Sequence, residues 1–198
     1  MSVLFFACLS ACSPWSFFTK KRPLAHYRQI RSKSGSLSSG AGGSLSPASY
    51  AHFGPAKVVY YVRRFQVEKV EFFKRIVFCF VTGNEDMHLK NFSLITKNGK
   101  TTLAPAYDLL NSSIAIKNPE EEIALTLKGK KSNLKASDFT DYYAKERLQL
   151  NEKTIETILQ DIFQAKEKWE DLISISFLSD DMKEKYSKIL ERRLKMFY

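Results

Sequence analysis

Gly83-Asn84-Glu85-Asp86-Met87-His88-Leu89-Lys90-Asn91-Phe92-Ser93 packs more chemistry into eleven positions than any other window of the chain. A carboxylate at Asp86 precedes an amide at Asn91 by five positions, with an imidazole and a primary amine between them. Two short apolar runs follow, Phe92 to Thr96 and Thr101 to Ala104, separated by Lys97-Asn98-Gly99-Lys100. Asn-Gly is the preferred two-residue hairpin turn because both residues tolerate positive φ. With Asn98-Gly99 at the tip, Lys97 pairs with Lys100 and Ile95 with Thr102. The same register carries Asn91 opposite Ala106 at the open end, close to Asp108, so the local fold is expected to gather Asp86, Asn91 and Asp108.

The step from Asp86 to Asn91 is the spacing between the base and the metal-binding amide of a protein-kinase catalytic loop. An amide oxygen and a carboxylate beside a second, free carboxylate suit Mg²⁺ held on a nucleotide triphosphate, which is phosphotransferase chemistry. A bland alternative assigns Asp86 and His88 to a helix cap and Asn91 to a turn. The hairpin and the second motif together favour the chemical reading.

Asn84 to Ser93, followed by Leu103-Ala104-Pro105-Ala106-Tyr107-Asp108-Leu109, resembles the signature of HipA-like toxin kinases, over a span from about Val70 to the C-terminus. The resemblance implies that Asp86 is the catalytic base, that Asn91 binds metal, and that Asp108 takes the part of the Asp in an Asp-Phe-Gly motif. Lys90 would neutralise the transferring phosphoryl group, and His88 would orient the loop through hydrogen bonds. The implied cofactors are ATP and Mg²⁺. The implied activity is a Ser/Thr protein kinase acting on protein hydroxyls, those of an aminoacyl-tRNA synthetase among them, as the toxin of a toxin-antitoxin pair. A HipB-like DNA-binding antitoxin is the implied partner.

The fold class expected is α+β, mainly α: a kinase-like C-terminal helical lobe, residues 56–198, with a β-hairpin at its site. Residues 1–55 are expected to be disordered or foreign to the family. The formal net charge of +10 is placed unevenly, with nine Lys or Arg and no Asp or Glu in residues 1–66, and 22 basic against 21 acidic residues beyond. A basic nucleic-acid groove is therefore not a property of the folded part. Three cysteines, Cys8, Cys12 and Cys79, show no metal or disulfide spacing, which points to a reducing, cytoplasmic setting. Cys79 lies in an apolar run, as a buried small hydrophobe does.

Met1 to Phe18 is apolar but interrupted, and Leu9-Ser10-Ala11-Cys12 spells a lipoprotein box with no positive residue ahead of it. The expectation is no export and no membrane. Lys20 to Pro55 is Ser/Gly-rich and basic: a flexible tail, a transit-like segment, or translation out of the family's reading frame, the last fitting best. Ser34 to Gly43 lacks the Gly-Lys-Ser/Thr ending and flanking elements of a phosphate loop and reads as a linker. Val58 to Val62 is a buried-strand pattern resembling the strand that enters the family's hinge, and Gln66 stands where the family has Asp. The helix follows almost at once, as an internal deletion would leave it.

Val67, Val70, Phe73, Ile76, Val77 and Phe80 recur at helical steps, so Gln66 to Val81 is expected to be a buried helix that Gly83 ends. Asn118-Pro119 marks a turn, Ile123 to Leu127 a short strand, and Lys128 to Lys131 a solvated basic turn. Ser137 is expected to cap a helix through Lys145, Asn151 a second whose apolar face runs from Ile155, Ile158, Leu159, Ile162 and Phe163 to Trp169, and Ser179 a third carrying Met182, Tyr186, Leu190, Leu194 and Phe197. No counterpart of the family's Gly-rich loop or of its ATP-gripping N-lobe Lys is found. An inactive fragment or binding module therefore stands as a rival to the kinase, and a small-molecule kinase with the same loop stands beside both.

Overall fold

A computed structural model describes residues 49–51, 66–97, 100–116 and 120–198. Helix α1, Gln66–Val81, is the axis on which the rest is laid. Phe72, Phe73, Ile76, Val77, Cys79, Phe80 and Val81 are all buried along it. Such near-complete burial is what a helix apolar on most of its faces requires. Gly83 ends it at φ 78°, with the Asn84 amide reaching back to the Cys79 carbonyl at 2.8 Å and the Gly83 amide to Phe80 at 3.2 Å. This is the Schellman geometry, in which a left-handed residue lets the last carbonyls find donors.

The expected hairpin is present. Strands β2, Leu94–Lys97, and β3, Lys100–Leu103, pair antiparallel with Lys97 opposite Lys100 and Ile95 opposite Thr102. The ladder does not run on to Asn91, however. Leu89–Asn91 forms a short 3₁₀ turn, which takes Asn91 out of the strand and away from the expected position opposite Ala106. A third strand, β1, Ser49–Ala51, pairs antiparallel with Leu94, Ile95 and Thr96. Backbone pairing to an open strand edge demands no side-chain pattern, which is why periodicity did not point to these three residues. The rest of 1–55, Val58 to Val62, the Asn98-Gly99 tip and Asn118-Pro119 lie outside the described residues.

Helix α1 fixes the exit of the hairpin with two buried charges. The Leu103 amide donates to Glu68 Oε2 at 2.7 Å, and Arg75 Nη2 donates to the Ala104 carbonyl at 2.9 Å. Both side chains sit on the buried side of α1, one turn either side of Phe72 and Phe73. They set the direction in which the chain leaves β3 toward Asp108.

Four further helical segments cover α1. Segment α2, Asp138–Arg147, is wound as a π-helix, with the Leu148 amide bonded to the Tyr143 carbonyl five residues back. Ser137 makes no cap; Asp138 Oδ2 instead accepts the Lys135 amide at 2.9 Å. Asn151 does cap α3, Glu152–Gln164, through the Thr154 amide at 2.8 Å. The chain then breaks at Ala165, so Trp169 belongs to a separate helix, α4, Lys166–Ser174. Phe163 falls off the apolar face, is 45% exposed, and stacks on Tyr198 with ring centroids 4.3 Å apart. Helix α5, Asp180–Leu194, begins after Ser179, whose hydroxyl makes no cap bond, and buries Tyr186, Leu190 and Leu194.

Aromatic contacts join these layers. Phe80 meets Phe139 at 4.7 Å, Phe139 meets Phe197 at 5.5 Å, and Phe78 meets Trp169 edge-on at 5.7 Å. Pairs of this kind add about 0.5–1.5 kcal/mol each beyond their area. Ile123 to Leu127 is not a strand. Lys128 and Gly129 both take positive φ, 51° and 79°, and fold Leu127 straight back onto Lys130, so a single bridge forms where a ladder was expected. The mainly helical architecture with a small antiparallel sheet matches the expected fold class.

Candidate functional site

The loop after α1 is held at its backbone. The Glu85 amide donates to Ser112 Oγ at 2.8 Å. The Gly83 carbonyl accepts from the Ser113 amide and from the Ser113 hydroxyl, both at 3.1 Å. The same Ser113 hydroxyl lies against the buried carboxyl of Glu85, so its single proton is shared between the Gly83 carbonyl and that carboxyl. Residues 83 to 85 are thus sewn to the segment that follows Asp108, while Asp86 turns outward with half of its side chain exposed.

Around Asp86 the loop gathers His88 and Lys90. His88 Nε2 lies 3.4 Å and Lys90 Nζ 4.0 Å from Asp86 Oδ1. Exposed pairs at these distances contribute about 0–1 kcal/mol, so both groups can be displaced toward a ligand at little cost. Asn91 is buried and donates its Nδ2 to the Asp86 carbonyl at 3.0 Å. That bond orients the amide and leaves its oxygen as the acceptor for a further partner.

Asp108 is the second centre. It takes φ 55°, a left-handed conformation uncommon outside Gly, Asn and Asp and one that persists only where neighbours enforce it. Its carbonyl accepts Asn84 Nδ2 at 3.2 Å, and Tyr107 beside it donates its hydroxyl to the Lys90 carbonyl at 3.2 Å. The two expected centres are therefore joined, but the tie runs through Asn84 and Tyr107 rather than through Asn91. Asp86, His88, Lys90 and Asn91 come together in one loop, and Asp108 is bound to that loop through backbone.

Sequence patterns missed the residues that do the joining. Asn84, Glu85, Ser112, Ser113 and Arg193 are all buried or half-buried polar groups. Arg193 alone had a signal: it lies seven residues after Tyr186 and three after Leu190, on the apolar stripe of its helix, where a surface arginine does not belong. Burial pushes the Glu85 carboxyl above its ordinary range, an effect that the Ser113 hydroxyl and Arg193 oppose. Burial likewise pulls the Arg193 and Arg75 guanidinium groups down.

Chemically, an exposed carboxylate, a nearby amine, a buried amide oxygen and a second exposed carboxylate make a site for a proton acceptor beside a hard cation. No three His, Cys, Asp or Glu side chains among the described residues form a metal cluster. A cation here would rest on the amide and carboxylate pair and fill its shell with water or phosphate oxygens, as Mg²⁺ does.

Comparison with known proteins bears on the family and the fold. The HipA-like C-terminal domain model matches residues 37–169, so the likeness begins well ahead of Val70. A presumed kinase of Haemophilus influenzae is 33% identical over 125 residues, covering 54% of this chain and 36% of that protein. The presumed kinase Y4dM of Sinorhizobium fredii is 37% identical over 102 residues, covering 50% of this chain and 25% of that protein. Among solved structures, the HipA toxin of Shewanella oneidensis MR-1, determined with HipB and operator DNA, superposes with a TM-score of 0.56 at 16% identity, covering 69% of this chain and 35% of that one. The chain thus spans between a quarter and little more than a third of these relatives. No helix of the described residues is long and apolar enough to cross a membrane.

Proposed function

The chain belongs to the HipA-like C-terminal domain family, and from that premise we propose that residues 56–198 form the catalytic lobe of an ATP- and Mg²⁺-dependent phosphotransferase acting on a protein hydroxyl. The observation that supports the proposal is the tie between the two segments, Asn84 to Asp108 and Tyr107 to Lys90, with Asn91 held to Asp86 inside the first of them.

In this reading Asp86 accepts the proton of the attacking hydroxyl, and Lys90, 4.0 Å from it, faces the negative charge of the phosphoryl group. Asn91 Oδ1 and the Asp108 carboxylate would hold Mg²⁺, which would supply charge neutralisation to the triphosphate. His88 steadies the Asp86 carboxylate from the open side of the loop. The composition of the Shewanella complex supports a HipB-like antitoxin as partner, while a protein acceptor such as an aminoacyl-tRNA synthetase rests on the family resemblance alone.

The test separates binding from turnover. Calorimetric titration of the full chain with ATP should give weak, Mg²⁺-dependent association, lost in Asp108→Ala and Asn91→Ala and kept in Asp86→Ala. Labelled ATP and a cell lysate should then give slow transfer that Asp86→Ala abolishes. Neither binding nor transfer, from a chain whose circular dichroism is helical, would withdraw the assignment in favour of an inactive fragment.

A further inference from the structure

Arg193 lies 24 positions beyond the last residue of the family match, yet it reaches the foot of the candidate loop. Its Nη1 donates to the Phe80 carbonyl at 2.6 Å, 113 residues away in sequence. Its guanidinium lies 4.8 Å over the Phe80 ring, and its Nη2 is 3.9 Å from Glu85 Oε1. The side chains of both partners are almost wholly buried, at 4% and 8% exposure. A buried guanidinium and a buried carboxylate each cost several kcal/mol to desolvate and are retained only where they satisfy each other and their neighbours. Glu85 does satisfy a neighbour, since its carboxyl meets the Ser113 hydroxyl, and the Ser113 main-chain amide in turn holds the Gly83 carbonyl.

Resting on the phosphotransferase reading, we propose that Arg193 is a positioning residue of the catalytic loop. From α5 it pins the last turn of α1 and the Glu85 carboxylate at once, and through Ser113 it couples the loop that carries Asp86 to the segment that follows Asp108. One residue thereby sets the spacing between the base and the metal-binding side. The fork of the guanidinium suits this, because one nitrogen bonds the Phe80 carbonyl while the other faces the Glu85 carboxylate at 3.9 Å. A lysine at this position has one point of charge and cannot bridge both.

The experiment uses the full chain and does not depend on turnover. Backbone amide exchange is followed at residues 83–86 and 111–113 in wild type, Arg193→Lys, Arg193→Met, Glu85→Gln and the Arg193→Met/Glu85→Gln pair. Exchange of the Glu85 amide should rise at least about tenfold in each single variant, with α3 and α4 unchanged, as local opening requires. The pair should add little to either single change, since both remove one coupling. Additive effects, loosening spread evenly over all helices, or an unchanged loop would overturn the proposal. Should Arg193→Met fail to fold, Ser113→Ala keeps both charges and must release the same amides; protection left intact there would also overturn it. Where wild type transfers phosphate, Arg193→Lys should lower kcat at least about tenfold with KM for ATP held within about threefold. A wild type without transfer would sink the phosphotransferase reading and leave the exchange experiment to decide the pin.

Discussion

Asn84 donates its side-chain amide to the main-chain carbonyl of Asp108 across 3.2 Å, although 24 residues separate them. The acceptor belongs to a residue at φ 55°, so the bond holds an uncommon backbone conformation in place. Asn84→Ala is expected to lower stability by about 0.5–1.5 kcal/mol, the net contribution of a typical intramolecular hydrogen bond. Urea unfolding measures this, and Mg²⁺-ATP titration of the same variant should show weakened association if Asp108 is a ligand.

Gly83 combines φ 78° with a closed environment, because a Cβ there would lie 2.6 Å from Asn111 Oδ1. Gly83→Ala should therefore cost about 1–3 kcal/mol from backbone strain and more from the clash. Thermal melts of Gly83→Ala and of Gly83→Ala/Asn111→Ala separate the two contributions. The double variant relieves contact with the side chain but not the dihedral, so it should lose less than the two single changes added together.

Glu85 predicts a pH dependence of definite sign. Burial raises its folded carboxyl above the ordinary 4.5, so the native state holds the proton more tightly than the unfolded chain does. Its contribution to stability is complete below that ordinary value and is lost as pH rises through the folded one. Glu85→Gln cannot ionise. The variant should gain on wild type as pH rises above the ordinary 4.5, read as a narrowing of the difference in urea midpoints. A difference that widens against the variant over that range would contradict the burial argument.

Cys79 is fully buried, and burial pushes its thiol up to about 12. A thiol so placed is inert toward alkylation at neutral pH. Brief iodoacetamide treatment followed by peptide mapping should leave Cys79 unmodified in the native chain and label it fully in denaturant.

How much could be read ahead of the structure followed the range of the forces involved. Gln66–Val81 and the hairpin register rest on local periodicity and on one turn dipeptide, and both appear as expected. The 3₁₀ turn at Leu89–Asn91 was not legible, because it depends on Asn91 bonding to the Asp86 carbonyl rather than on strand propensity. Strand β1 carries no pattern of its own and exists by pairing with β2. At the site the chemistry-bearing side chains stood out by type, whereas Asn84, Ser113 and Arg193 matter only through partners 24 to 113 residues away. Arg193 on the apolar stripe of α5 was the one visible sign of such a long-range contact.

The bond from Arg193 to Phe80 also orders events in time during synthesis. A nascent chain emits α1 and its loop first, and 113 further residues must be added before the guanidinium exists. At translation speeds of about 5–20 residues per second, roughly 6 to 23 seconds separate the synthesis of Phe80 from that of its latch. During this interval the Glu85 carboxylate has no buried cation to face and is better solvated than enclosed, which keeps the loop open. Completion of α5 is then the step that closes it, so a growing polypeptide carries the loop's chemistry in its sequence long before it carries the loop's shape.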